Sequence, residues 1–179
     1  MEINRPSPKK ESGDSRASRP SGAAFLLSQL GSHAAGKFAE RMAKLHLAPA
    51  HAGILRILAV NPGITQQALA SMLGMVPSRL VALLDELDAF GLTQRRRNQD
   101  DRRSHALSLT DKGRKTLAAI GEISREHQRA LLSALTEQER DQLAEFLQRV
   151  ADQQGLTRKV HPGYKTLKTA RPDDDPSAR

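Results

Sequence analysis

"TQQALASMLGMVPSRLVALLDELDAFG", residues 65–91, is the stretch on which the fold turns. Thr65 offers an N-cap hydroxyl to a short helix over 66–73, whose apolar residues are Ala68, Leu69, Met72 and Leu73. Gly74 stops that helix, because glycine enters the left-handed conformation without steric cost. Pro77 opens a second helix over 77–89: proline lacks an N–H, and the first helical residue has no intrahelical partner for one. Leu80, Leu83, Leu84 and Leu87 form its inner stripe, and Gly91 closes it. Two short helices joined by a glycine-bearing turn of three or four residues predict a helix-turn-helix. Ordinary helical hairpins share this spacing, so the motif alone does not establish DNA binding.

The residues that follow narrow the reading. Leu92–Arg97 and His105–Leu109 predict the two strands of a hairpin, with 98–104 as its loop. In the second strand Leu107 and Leu109 face one way and Ala106 and Ser108 the other, as a half-buried strand requires. Five arginines, Arg95, Arg96, Arg97, Arg102 and Arg103, fall within nine residues here. A strand edge has no need of such charge, whereas an anionic partner would attract it. A helix-turn-helix followed at once by a basic hairpin predicts a winged helix. The second helix would enter a major groove with Ser78, Arg79, Val81 and Ala82 at its reading end. The wing arginines would meet the backbone or the minor groove. Asp100 and Asp101 oppose phosphate, but Asp101, two residues before Arg103, can hold that guanidinium fork in one orientation.

On the N-terminal side, Leu30, Ala34, Phe38, Met42 and Leu45 recur at spacings of three and four, predicting a long helix over about 23–46. Pro49 starts a helix with Ile54, Leu55, Ile57 and Leu58, broken at Asn61-Pro62-Gly63. On the C-terminal side, Thr110 caps a long helix over about 111–133. Thr136-x-x-Glu139 is a capping box for a last helix over about 137–153, with Leu143, Phe146, Leu147 and Val150 on one face. Residues 1–22 and 156–179 are polar, rich in proline and largely basic, and read as a disordered tail and a flexible tail.

The 179 residues suit one domain with appendages, and the net charge is +8. That charge favours nucleic acid as partner, ahead of a membrane surface or no partner. The chain has no cysteine, which excludes disulfides, thiol ligation of zinc and thiol redox sensing. His46 and His51 straddle Pro49 and do not share a helix face, so no metal site is expected. Neither a secretory signal nor a membrane span is legible, and a cytoplasmic protein without membrane contact is expected. Only 3% of residues are aromatic, too few for single-strand stacking. No HExxH, P-loop or GxSxG occurs, so neither an enzyme nor a cofactor is expected.

"LASMLGMVPSRLVALLDELDAFGLTQRRRNQDDRRSHALSLTDKG", residues 69–113, resembles the MarR family of bacterial transcription regulators, and the likeness extends more loosely over 23–153. The Asp-Arg-Arg of the wing, the Leu-Ser-Leu-Thr strand end and the Thr-Asp-Lys-Gly helix start carry it. The resemblance implies a mainly α fold with a small β-hairpin: a winged helix-turn-helix over about 48–110, flanked by dimerisation helices over about 23–47 and 111–155. The family's Asp-x-Arg wing motif falls on Asp101 and Arg103, and its helix contacts on Ser78, Arg79, Val81 and Ala82. Ala82 departs from the long polar residue many members carry. The resemblance further implies a homodimer on a palindrome of double-stranded DNA, commonly repressing. Phe25, Leu26, Leu27 and Leu30, with Leu143, Phe146, Leu147 and Val150, agree, since a small winged helix cannot cover both apolar faces. A small aromatic or anionic effector is implied between the dimerisation helices and the winged helix, with His33, His51 and Arg56 as candidate polar groups. A winged helix that binds DNA without sequence preference, or binds RNA, is the alternative.

Overall fold

The computed structural model describes residues 22–97, 105–158 and 160–161. Among the described residues, six helices and three short strands follow in order: α1 (Ala23–Ala43), α2 (Pro49–Val60), β1 (Ile64–Thr65), α3 (Gln66–Leu73), α4 (Pro77–Ala89), β2 (Thr93–Arg97), β3 (His105–Leu109), α5 (Asp111–Leu131) and α6 (Glu137–Gln153). α3 and α4 have the expected bounds. Thr65 Oγ1 accepts the Ala68 amide at 3.2 Å, Gly74 takes φ +60° and Gly91 φ +68°. The inner stripe of α4 is buried at all four leucines. α3 differs in detail: Leu69, Ala70 and Leu73 are buried, whereas Ala68 and Met72 are exposed, because eight residues turn only a narrow side to the core.

The hairpin pairs Thr93 with Leu109 and Arg97 with His105, and Leu107 and Leu109 are buried. The sheet has a third strand that the sequence did not announce. β1 lies antiparallel to β3, with Ile64 opposite Leu107, and the order is β1-β3-β2. Two residues show no alternation, and Thr65 serves both as strand end and as helix cap.

α1 stops at Ala43 rather than 46, because His46 takes a left-handed φ of +57°. That reversal lets the Leu47 amide reach the Met42 carbonyl at 3.3 Å and buries Leu47. The expected α1 face is covered only at its C-terminal end: Met42 is buried, Phe38 and Leu45 pack partly on the core, and Leu30 is exposed. α5 ends two residues earlier than expected, as helix ends commonly do. The capping box holds at α6: the Thr136 amide donates to Glu139 at 2.8 Å and the Glu139 amide to Thr136 at 3.3 Å. Beyond α6 the chain departs from the simple tail expected. Arg158 pairs with Asp152 at 2.7 Å, and Val160 packs against the core.

Candidate nucleic-acid interface

α4 buries one side in leucine and turns the other outward. Ser78 and Ala82 are exposed there, and Arg79 and Val81 are half-buried. No side chain caps the helix N-terminus, where Val76 precedes Pro77. Pro77 has no amide N–H and the Arg79 amide turns back to the Val76 carbonyl at 3.1 Å, so what this end offers to phosphate is the positive end of the helix dipole.

β2 lies beside this helix, and Arg95 joins the two. Its Nε donates to Asp88 Oδ2 at 2.7 Å and its Nη2 to Asp85 Oδ1, while Thr93 Oγ1 donates to Asp88 Oδ1. The sequence pattern places Arg95 among the DNA-contacting arginines of the wing. Instead its guanidinium is turned inward onto two carboxylates of α4, leaving the side chain 28% exposed. The backbones of Arg96 and Arg97 continue β2, opposite Ala106 and His105. Their side chains, like Asp101, Arg102 and Arg103 entirely, lie outside the described residues.

A second joint ties the winged helix to α5. Thr110 Oγ1 donates to the Gly91 carbonyl at 2.7 Å and accepts the Gly113 amide at 3.0 Å. Lys112 Nζ donates to the Phe90 carbonyl at 2.7 Å, a cation at the negative end of α4. Gly113 lies flat against the hairpin: a Cβ there would come within 2.0 Å of the Leu92 carbonyl oxygen. The Thr-Asp-Lys-Gly sequence is thus a clasp between α4, β2 and the start of α5.

The three effector candidates do not share one role. His51 is buried in α2. Its Nδ1 accepts the Ala48 amide at 3.0 Å, so the ring proton sits on Nε2, 3.0 Å from Glu86 Oε2 of α4. Burial pushes this imidazole below its ordinary value, against the opposing pull of the Glu86 carboxylate. His51 is a core histidine that ties α2 to α4, not an open ligand group. His33 is exposed on α1, within electrostatic range of Glu40 and His127, and Arg56 is exposed on α2. Two shallow cavities lie elsewhere, one of about 330 Å³ lined by Phe146, Arg149, Val150 and Gln153, the other of about 240 Å³ lined by Arg125, Gln128, Arg129 and Arg140. Neither includes His33, His51 or Arg56.

The candidate dimer residues lie at the surface. α6 buries no side chain. Phe146 is 57% and Val150 46% exposed, Leu147 is exposed and Leu143 half-buried; on α1, Phe25, Leu26 and Leu30 are exposed. No single helix among the described residues is long and apolar enough to cross a membrane.

The architecture matches proteins of known structure. The profile of the MarR family matches residues 47–104, the helix-turn-helix and wing. The transcriptional repressor CouR, solved bound to a 23-mer DNA duplex, is similar at 36% identity and a TM-score of 0.65, over 73% of this chain and 92% of CouR. The chain belongs to the MarR family. Two further relatives are similar in sequence. The HTH-type transcriptional regulator BilQ of Clostridium symbiosum is 32% identical over 101 residues, covering 56% of this chain and 67% of BilQ. A Thauera aromatica protein named as a candidate transcriptional regulatory protein for the hcr operon is 31% identical over 105 residues, 59% of this chain. The match spans 63% of the Thauera protein, less than two thirds of its length. In this MarR-family chain the matched segment carries the α4 face and the β2 joint described above.

Sequence reasoning missed the partners of Arg95. A signal was present: Asp85 and Asp88 lie three residues apart on α4, hence on one side, and a basic strand follows after a tight turn at Gly91. The cap from Thr110 to the Gly113 amide was legible, but the carbonyls that Thr110 and Lys112 reach, on Gly91 and Phe90, left no such trace.

Proposed function

We propose that this chain is a transcription regulator that binds double-stranded DNA sequence-specifically as a homodimer, on a palindromic operator, most simply as a repressor. The observation that carries the reading is α4, whose uncapped N-terminus and outward Ser78, Arg79, Val81 and Ala82 stand beside a hairpin bearing the arginine-rich loop. The protein reading DNA in this way acts in the cytoplasm, without a cofactor and without catalysing a reaction. The second copy covers the apolar faces of α1 and α6. A small aromatic or anionic effector acts by preferring the spacing of the two recognition helices that DNA does not accept. His33 and Arg56 remain the candidates on the accessible side.

The test is selection of bound duplexes from a random pool at physiological salt, followed by sequencing. The expected result is an enriched palindrome with half-sites about one helical turn apart, preferred over random duplex by at least about a thousandfold. Tight, salt-sensitive binding without enrichment would instead support a winged helix that binds DNA without sequence preference. Within the wing, Arg103→Ala is expected to lower the salt slope of binding by about one unit, the loss of one phosphate contact. An unchanged slope would remove the wing from the interface.

A further inference from the structure

We propose that Arg95 is a positioning residue for DNA binding and not a DNA contact: it fixes the wing's first strand on α4 and masks that helix's own carboxylates from the phosphate backbone. The inference rests on the DNA-binding reading above.

The distribution of charge on α4 sets the problem. Its three carboxylates, Asp85, Glu86 and Asp88, all fall in its C-terminal half, and its first eight residues carry none. The Asp85 side chain is 61% exposed. An uncompensated acidic half-helix next to a duplex would repel phosphate and oppose docking. Arg95 compensates two of the three, while the third meets the neutral imidazole of His51. Glu86 faces His51 across 3.0 Å, and Asp85 and Asp88 share Arg95.

Arginine suits this position for a geometric reason. The planar guanidinium presents donors in a fixed fork, so one side chain can serve two carboxylates at once. Nε serves Asp88 and Nη2 serves Asp85, and Thr93 completes Asp88 from the same strand. These contacts bridge seven and ten residues of sequence, across the turn between α4 and β2. They set where the first strand of the hairpin leaves the helix. Two of the five guanidinium N–H donors are committed, and the plane of the fork is fixed toward α4.

The experiment is a charge-removal cycle on the full chain. Arg95→Gln, Asp85→Asn/Asp88→Asn and the triple variant are compared with the unmodified protein. Binding is measured by fluorescence anisotropy on two labelled probes, the duplex enriched from the random pool and a mixed-sequence duplex of equal length, over a range of salt. Circular dichroism at the assay temperature checks that each variant is folded. Arg95→Gln alone is expected to weaken binding about tenfold, the scale of two partly exposed ion pairs. In the triple variant, affinity and salt slope match those of Asp85→Asn/Asp88→Asn, affinity to within about threefold, because Arg95 acts only through the two carboxylates. If Arg95 contacts phosphate, the loss persists in the Asn background and the slope falls there by about one unit; that result overturns the proposal. If the unmodified protein binds neither probe, the DNA-binding reading itself fails, and the inference falls with it. If Arg95→Gln unfolds at the assay temperature, the triple variant decides alone: affinity and slope equal to those of Asp85→Asn/Asp88→Asn support the proposal, and a slope lower by about one unit refutes it.

Discussion

His51 shows how one buried side chain links α2 to the recognition helix. Its acceptor nitrogen is committed to the Ala48 amide and its Nε2 stands 3.0 Å from Glu86 Oε2, so the neutral ring suits both neighbours and a second proton would break the first contact. Burial holds its pKa below the ordinary value of 6.5. Between the lowered folded value and the unfolded value, the unfolded chain binds more protons than the folded one, so stability rises with pH. Acidification through pH 6.5 therefore costs stability until the folded ring itself takes up the proton. His127, lowered by burial and by the charges of Arg41 and His33, acts in the same direction. The exposed carboxylates held low by their partners, Glu40, Glu122, Glu139 and Asp152, lose stability only at lower pH, below about 4.5. Thermal unfolding at pH 7.5 and pH 5.5 checks this. The midpoint is expected to fall by a few degrees, about the scale of one kcal/mol for a chain of this size, and the fall should shrink in His51→Gln/His127→Gln. An equal fall in that variant would place the titrating group elsewhere. Arg79 poses the complementary question at the reading end of α4. Arg79→Ala is expected to cost on the order of 1–3 kcal/mol of binding and to relax preference at one base position per half-site; a uniform loss across all duplexes would mark it as a phosphate contact.

At the scale of elements, the clasp at the start of α5 is a tightly constrained joint. Gly113→Ala brings a methyl group against the Leu92 carbonyl, which is itself engaged by the Thr110 amide at 3.1 Å. Either α5 or the hairpin must move, at a cost of about 1–3 kcal/mol. Gly121, later in the same helix, is the control. A Cβ there would meet only the Arg125 guanidinium, at 3.7–3.8 Å, so Gly121→Ala should gain up to about 1 kcal/mol of helix propensity. Unfolding midpoints moving in opposite directions for the two variants would support the clasp, and a neutral Gly113→Ala would refute it. The legibility of the elements follows the same physics. α3, α4 and α6 could be bounded from sequence because their ends carry local signals: Thr65 and Thr136 as caps, Pro77 as a start, and Gly74 and Gly91 as left-handed stops. β1 could not, because its two residues are defined by a partner more than forty positions away. The direction of the Arg95 side chain was missed for a related reason. A run of arginines announces charge, but the direction of each side chain depends on what the fold brings beside it, here two aspartates on the preceding helix.

The whole molecule has too little core for its helices. The buried residues gather around α2, α3, α4 and the sheet, with Met42 of α1 and Ile120 of α5 at the edge. α6 contributes none, yet it carries Phe146, Leu147 and Val150 on one side. A helix with a capping box at its start and an apolar stripe left in water is stable only if something covers the stripe. A second copy offers the same unsatisfied faces of α1 and α6, and a self-complementary patch is what a two-fold interface requires. Folding and assembly are then linked, so the unfolding midpoint should rise with protein concentration. Phe146→Glu places a charge in the centre of that interface. Analytical ultracentrifugation is expected to show a dimer for the unmodified protein and a monomer for the variant, with helical content kept by α2 to α4. Operator affinity should fall by at least about a hundredfold, because the second half-site is no longer bound intramolecularly, while binding to a single half-site duplex stays within about threefold. A monomeric unmodified protein at micromolar concentration would overturn the dimer and require the α6 stripe to pack on another partner. A variant that remains dimeric would move the interface away from Phe146, toward Phe25, Leu26 and Leu30 of α1.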